Sequence, residues 1–424
     1  MKTINQYKTR LLSSLLSKYE SSISFSEGTP SKQRPQMTMA HSPLADDYYD
    51  EMNYAKRETI HQALRELEDE GVISLAWPKH RDKVDVAKVY LELTAVDKAY
   101  TIAGLMPKAD KLTTLRQILD PLLNHPWPWV QKWAQNTSEA LVNRKSAGLD
   151  LDTPELYAKL VKVLLSLPDL KESTPKRVFS QKVLGDSKEF EQIVEKPLLR
   201  LLRDHTPEEF ETDEEYLDSV NLVIHPKHTL LAGDLQITLN GTNANLSAFA
   251  GGLGLSHPTI KAMTITSLPA CPILTVENLT TYYQVVQQPS SPWGLVIYTG
   301  GFPHSGSQLL LSKLSTFIKN NTPAVEVYHW GDIDYGGIRI FQYLKEQCFP
   351  SLKPYLMDVE TYREYATRGM GFSSVYAEKL DRLLKDMSYM EWHALLEEIL
   401  LKRVRVEQES VYTTRNASRQ PHHT

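Results

Sequence analysis

Apolar positions along the chain fall into two textures, helical spacing up to about residue 215 and short runs between turns from about 222. Leu11, Leu12, Leu15 and Leu16 form two adjacent rows and predict a helix over 4–19. Residues 26–44 carry three prolines among turn formers and read as a loop. Ile60, Leu64 and Leu67 mark the buried face of a second helix over 53–70, which Gly71 ends. A strand over 72–77, a turn over PKHRDK (78–83) and a second strand over 84–93 follow. Segments 110–123, 127–143, 154–166 and 189–204 again have helical spacing, punctuated by Pro126, Pro128, Pro154, Pro168 and Pro175. The acidic run TPEEFETDEE (206–215) reads as a solvated helix or linker lying away from any cleft.

From 271 the pattern alternates. CPILTVE (271–277) is a short buried strand, followed by a helix over 279–287 with Asn278 as its cap. GLVIYTGG (294–301) is a second strand, with a Gly/Pro turn and a helix over 308–319 behind it. VEVYHWGDID (325–334) is a third, leading through a Gly336-Gly337 turn into a helix over 338–346, and 353–358 is a fourth. Strands alternating with helices predict an α/β domain with a parallel sheet covered by helices on both faces. The expected organisation is 1–105, a helical arm over 106–221, and the α/β domain with C-terminal helices over 222–424.

The acids fall at strand ends. Glu277 closes the first strand, and Asp332 and Asp334 close the third. In an open parallel sheet, the crevice beyond the carboxyl ends of the strands is where ligands bind. In an extended segment Asp332 and Asp334, at i and i+2, point to one side. Such carboxylates make a hard oxygen site suited to Mg²⁺ or Mn²⁺, and without a cation they repel one another. The glycine pair lets the chain bend into a helix whose N-terminus favours phosphate. Asp-x-Asp before a glycine turn is also an ordinary capping loop, and the strand context with Glu277 is what separates the two readings.

Charge and cysteine content narrow the class. Of 424 residues, 47 are Lys or Arg and 52 Asp or Glu, a net charge of -5, which excludes coating DNA by bulk positive charge. Two cysteines exclude a disulfide scaffold and a cysteine-rich structural zinc site. The opening MKTINQYKTR has no apolar signal core, and no run approaches the roughly 18–20 apolar residues of a membrane span, so a cytoplasmic protein without membrane contact is expected. Helix, helix, strand, turn, strand over 4–93 is the order of a winged helix. Arg57 on its second helix and Lys79, Arg81 and Lys83 at the wing tip are then candidate DNA contacts. An amphipathic helix on a hairpin with solvated charges, or a dimerisation module, fits the same order.

Three motifs, each behind a hydrophobic strand, carry a family resemblance: Glu277-Asn278, Gly301-Phe302-Pro303 and Asp332-Ile333-Asp334-Tyr335-Gly336-Gly337-Ile338. Together they resemble the Toprim domain, in the branch of the topoisomerase VI A subunit and the meiotic double-strand-break protein. Within that branch HWGDIDYGGIRIFQYL (329–344), GDSK (185–188) and VEQES (406–410) resemble the JetD family of Wadjet plasmid-defence nucleases. The resemblance implies a winged helix before the Toprim domain. It makes Glu277 a metal ligand or general acid/base and Asp332 and Asp334 metal ligands. Lys188, in GDSK, becomes a candidate backbone-phosphate contact. Asp358 stands near by topology without a motif of its own. His304 and His329 are near as well, with a loop or structural role as the plainer reading, and Glu407 and Glu409 read as helix-face residues.

The topoisomerase branch cuts with a tyrosine preceded by a basic residue. Here Tyr48-Tyr49 follow Asp46 and Asp47, and acids beside a phenol disfavour both phenolate and phosphate. The expectation is therefore a metal-dependent endonuclease that hydrolyses double-stranded plasmid DNA as a homodimer, with DNA delivered by SMC-like and kleisin-like partners. The alternatives are a tyrosine transesterase and a non-catalytic DNA-binding adaptor on a Toprim fold.

Overall fold

The computed structural model describes residues 2–28, 33–78, 85–206, 209–210, 212–288 and 291–412. The chain divides into two compact units, Met1–Leu165 and Ser166–Thr424, and the division falls inside the stretch 106–221.

In the first unit Thr3 opens the helix Ile4–Glu20 with a capping box to Gln6, and Leu11, Leu12, Leu15 and Leu16 are buried. Three short strands form one antiparallel sheet in the order β1-β3-β2: β1 (Gln36–Thr38), β2 (Ile73–Ala76) and β3 (Lys88–Leu91). β1 lies within the stretch expected to be loop. With three residues and one buried side chain, Met37, it is too short to announce itself by alternation. The second strand, expected over 84–93, is shorter, and residues 79–84 lie outside the described residues. The helix Tyr54–Asp69 buries Ile60, Ala63, Leu64 and Leu67. Gly71, at φ 72°, then reverses the chain so that Val72 donates to the Leu67 carbonyl at 2.9 Å. Helices Val96–Ala103, Lys108–Leu119, Pro128–Val142 and Pro154–Ser166 follow. Pro128 and Pro154 open their helices, because the first turn needs no proline N–H.

In the second unit β4 (Thr174–Pro175) pairs with β5 (Leu222–Val223). Then come β6 (His228–Gly233), β7 (Gln236–Leu239), β8 (Thr242–Asn245), β9 (Leu253–Ser256), β10 (Thr264–Ser267), β11 (Ile273–Val276), β12 (Leu295–Tyr298), β13 (Val327–Trp330) and β14 (Lys353–Pro354). β15 (Met370–Gly371) and β16 (Val404–Arg405) form a separate pair. The main sheet has six strands in the order β14-β13-β11-β12-β6-β9. It is mixed, which corrects the expectation of a parallel sheet. β11 to β14 run parallel, linked by helices Leu279–Val286, Ser305–Asn321 and Tyr335–Gln347, whereas β6 is antiparallel to β12 and β9 to β6. β6 and β9 belong to a run of short strands with short connections, which suit antiparallel pairing. Every residue of β11 and β13 is buried, as strands covered on both faces require. β7, β8 and β10 form their own antiparallel sheet. Among the described residues no helix is long and apolar enough to cross a membrane.

Candidate active site

β11 and β13 lie side by side in register, Val276 against Trp330, so their carboxyl ends share one edge. Glu277 is the first residue past β11. Its Oε2 accepts the N–H of Asp332 at 3.1 Å, across 55 positions of sequence. Gly331 makes this approach possible, because a Cβ there would stand 2.6 Å from Glu277 Oε2.

Asp332 Oδ1 in turn accepts the N–H of Gln408 at 2.6 Å. Burial, and then the charge of Asp334, push the Asp332 carboxyl up to about 7 against the pull of that N–H, with Glu409 and Glu407 adding to the rise. Asp334 does something different. Its Oδ1 caps the helix Tyr335–Gln347 by accepting from Gly337 N–H at 2.9 Å, and its Oδ2 accepts from the Tyr376 hydroxyl at 3.2 Å. The Arg405 guanidinium stands 3.9 Å from the same Oδ2.

Asp332 and Asp334 are near enough for one charge to act on the other, but their oxygens do different work. β13 stops at Trp330, Ile333 pairs with Val406 through two backbone hydrogen bonds, and the two carboxylates have separate partners. Among the described residues no three His, Cys, Asp or Glu side chains are gathered closely enough to hold a metal ion.

Gly336 and Gly337 are not a turn before the helix. They lie in its first turn, which begins at Tyr335. A Cβ on Gly337 would stand 2.1 Å from the Asp332 carbonyl oxygen, so glycine is required there by crowding.

The last described segment closes the site. Gln408 is buried, and its side chain accepts from Asn278 N–H at 2.9 Å and donates to the Trp330 carbonyl at 2.8 Å. One residue thus ties the ends of β11 and β13 together while its own N–H holds Asp332. Asn278 caps the helix Leu279–Val286 as expected and also donates to Glu409. The sequence reading singled out Glu407 and Glu409 and passed over the glutamine between them. It also missed Tyr376, whose hydroxyl accepts from Tyr335 N–H at 3.0 Å while donating to Asp334. The VEQES motif was the signal available for Gln408, and nothing local marks Tyr376.

The other candidates have mostly structural duties. Asp358 is exposed and caps the helix Val359–Tyr365 through Thr361 N–H at 2.7 Å, and the fourth strand ends at Pro354, well short of it. His304 caps the helix Ser305–Asn321, accepting from Gly306 N–H at 3.2 Å, and burial lowers its ring to about 4. His329 is wholly buried with Nδ1 at 2.9 Å from Thr275 Oγ1, and burial lowers it to about 3. Lys188 is exposed, in a turn where its N–H donates to Asp186 at 2.7 Å. Arg57 is ion-paired with Asp85 and lies over the Tyr48 ring at 5.2 Å. Lys79, Arg81 and Lys83 lie outside the described residues. Tyr48 is buried, its oxygen accepting from Val86 N–H at 2.9 Å, and desolvation raises its pKa above the ordinary tyrosine value. Tyr49 is half exposed and is raised by burial and then by Asp85.

The acidic run at 206–215 is not simply solvated. Tyr335 donates its hydroxyl to Glu209 Oε2 at 2.9 Å, Lys379 reaches Oε1 at 2.5 Å, and Phe210 meets Phe302 edge-on at 5.1 Å between centroids. Glu209 and Phe210 thus lie against Tyr335 and Phe302 of two of the motifs, contrary to the expected place of this run away from the cleft.

Comparison with known proteins agrees with this arrangement of motifs. The family model described as Wadjet protein JetD, C-terminal, matches residues 232–418, which contain Glu277, Asp332, Asp334 and Gln408. Over 406 residues the chain is 39% identical to the Wadjet protein JetD of Bacillus cereus (strain Q1), covering 96% of this chain and 98% of that one. Similarity of that extent, running through both units, shows that the chain belongs to the JetD family of Wadjet proteins.

Proposed function

We propose that the protein is the DNA-cutting subunit of a Wadjet plasmid-defence system, hydrolysing double-stranded DNA at the Glu277–Asp332 edge. In this reading the second unit is a Toprim domain. The first contains a winged helix, supported by its order of two helices, a strand, two further helices and two further strands. The carrying observation is the contact of Glu277 with the Asp332 backbone, beside an Asp332 carboxyl raised to about 7. A protein gains nothing in stability by burying a carboxyl among other acids, and such perturbed groups concentrate at functional sites.

The donor set fits Mg²⁺ or Mn²⁺: hard carboxylate oxygens from Glu277 and from Asp332, which faces the charges of Asp334, Glu409 and Glu407 that a cation would offset. Such a cation supplies, when bound, stabilisation of the charge that develops on the phosphodiester oxygens. The chain's own groups do the rest. Gln408 N–H fixes one oxygen of Asp332, and Asp334 holds the N-terminus of the helix Tyr335–Gln347 beside the acids. That terminus carries partial positive charge suited to a phosphate. Tyr376 and Arg405 keep Asp334 in its capping position. The hydrolytic reading is favoured over transesterification because the oxygen of Tyr48 is buried and engaged and both tyrosines resist ionisation. A homodimer would present one acid pair to each strand, with SMC-like and kleisin-like subunits bringing the DNA.

Circular plasmid incubated with the protein, its partner subunits and Mg²⁺ or Mn²⁺ tests this. Linear product is expected, falling at least ~100-fold in Asp332→Ala and Glu277→Ala. Undiminished cutting in both variants would overturn the site. A covalent protein–DNA adduct abolished by Tyr49→Phe would assign a transesterase. Retention of DNA without scission under either metal would assign an adaptor.

A further inference from the structure

Beside the acid pair, two cations and a hydroxyl converge on a single carboxylate, and a third cation holds the backbone carbonyl of the same residue. Lys379 Nζ lies 2.5 Å from Glu209 Oε1, Arg382 Nη2 3.4 Å from Oε2, and the Tyr335 hydroxyl donates to Oε2 at 2.9 Å. Arg339 donates to the Glu209 backbone carbonyl and lies over the rings of Tyr335 and Phe302 at 5.3 and 5.5 Å.

The cations come from two helices in register with the acid centre. Tyr376, Lys379 and Arg382 are spaced i, i+3, i+6 on the helix Ser374–Lys385 and so share one face. Tyr335 and Arg339 are i and i+4 on the helix capped by Asp334. Tyr376 touches Asp334, and Lys379 comes one turn later, about 5 Å along the axis. The cluster therefore runs directly away from the acid edge. Lys379 and Arg382 on one carboxylate, with Arg339 on the neutral carbonyl of the same residue, leave a local positive excess beside the acid centre.

The occupant is also unusual. Glu209 belongs to a run with six acids in ten residues (206–215), a polyanion by composition. Its immediate neighbour Phe210 packs on Phe302 of the Gly301-Phe302-Pro303 motif. A carboxylate presents two oxygens to a guanidinium and an ammonium much as the two non-bridging oxygens of a phosphodiester do.

We propose that Lys379, Arg382, Arg339 and the Tyr335 hydroxyl form a seat for a nucleic-acid backbone phosphate, and that Glu209 fills this seat as an internal substitute until nucleic acid displaces it. The proposal rests on the reading that DNA is the ligand of this edge. It does not require that the DNA be cut. Glu209 then acts as a built-in competitor that holds binding down.

The test is binding of a short fluorescein-labelled DNA duplex, by anisotropy, with EDTA present so that binding is read apart from scission. Glu209→Gln keeps the shape and removes the charge, and affinity is expected to rise ~3- to 10-fold. In that background, Lys379→Ala with Arg382→Ala is expected to remove the gain and lower the slope of log affinity against log salt by about 1 to 2. Glu209→Asp is expected to bind as the parent does, and melting curves check that each variant is folded. Affinity unchanged in Glu209→Gln, or a salt slope unchanged by loss of the two cations, would overturn the seat. If DNA binding behaves as expected while no plasmid is cut with Mg²⁺ or Mn²⁺, the cutting reading fails and the seat stands.

Discussion

At the scale of single residues, Gln408 and His304 make the sharpest predictions. Gln408→Ala leaves the half-buried Asn278 N–H without its acceptor and takes from the Trp330 carbonyl one of two donors, the Glu277 N–H remaining at 3.0 Å. About 1–3 kcal/mol of stability should be lost, read by denaturant unfolding, and a loss under ~0.5 kcal/mol would contradict the bracing role. His304 gives a pH dependence. Its folded value, about 4, lies below the ordinary value of 6.5, chiefly through burial and then through Lys227, His257 and His228. Between these values the unfolded chain binds more protons, so His304 lowers stability as pH falls from 6.5 towards 4 and is neutral above 6.5. The slope is at most about 1.4 kcal/mol per pH unit. His329 acts in the same direction and Asp332 in the opposite one, so the comparison must be with His304→Asn, which keeps a capping side chain without the titration. The wild-type and variant curves should diverge only below about pH 6.5. Glu277 and Asp332 were legible in the sequence because apolar strands point to them. Gln408 was not, since its task is to satisfy backbone groups on two distant strands, and no periodicity records that.

At the scale of elements, the strand and helix pattern of 271–347 was readable because buried parallel strands are continuous apolar runs bounded by turns. β1 was hidden by its length, and β6 and β9 kept their direction hidden, since a strand's residues do not say which way its neighbour runs. The glycine pair shows how a correct motif can carry a wrong local picture. Gly336-Gly337 is helix, and Gly337 matters because the Asp332 carbonyl crowds it. Gly337→Ala should therefore destabilise by about 3 kcal/mol or more, despite alanine's better helix propensity. Gly336→Ala should cost less, and thermal unfolding of the two variants side by side decides the matter. Equal, mild effects would mean that the turn yields more readily than the contact implies.

At the scale of the whole molecule, a net charge of -5 fits the proposed dependence on partner subunits. Alone, the protein should hold duplex DNA no better than the micromolar-to-weaker range of non-specific binders at physiological salt, and adding the partners should tighten retention. Tight binding by the isolated protein would argue against delivery. The contact of Gln408 with both Asn278 and Asp332 has a further consequence in time. A chain emerging from the ribosome presents β11 and β13 long before Gln408. Until that late segment folds back, Asp332 lacks its Gln408 donor, and the two strand ends are joined only by their own contacts through Glu277. The acids of an unfinished polypeptide thus lack one brace, and if the site cuts as proposed, a chain broken off before Gln408 should cut the DNA around it more slowly than the full one.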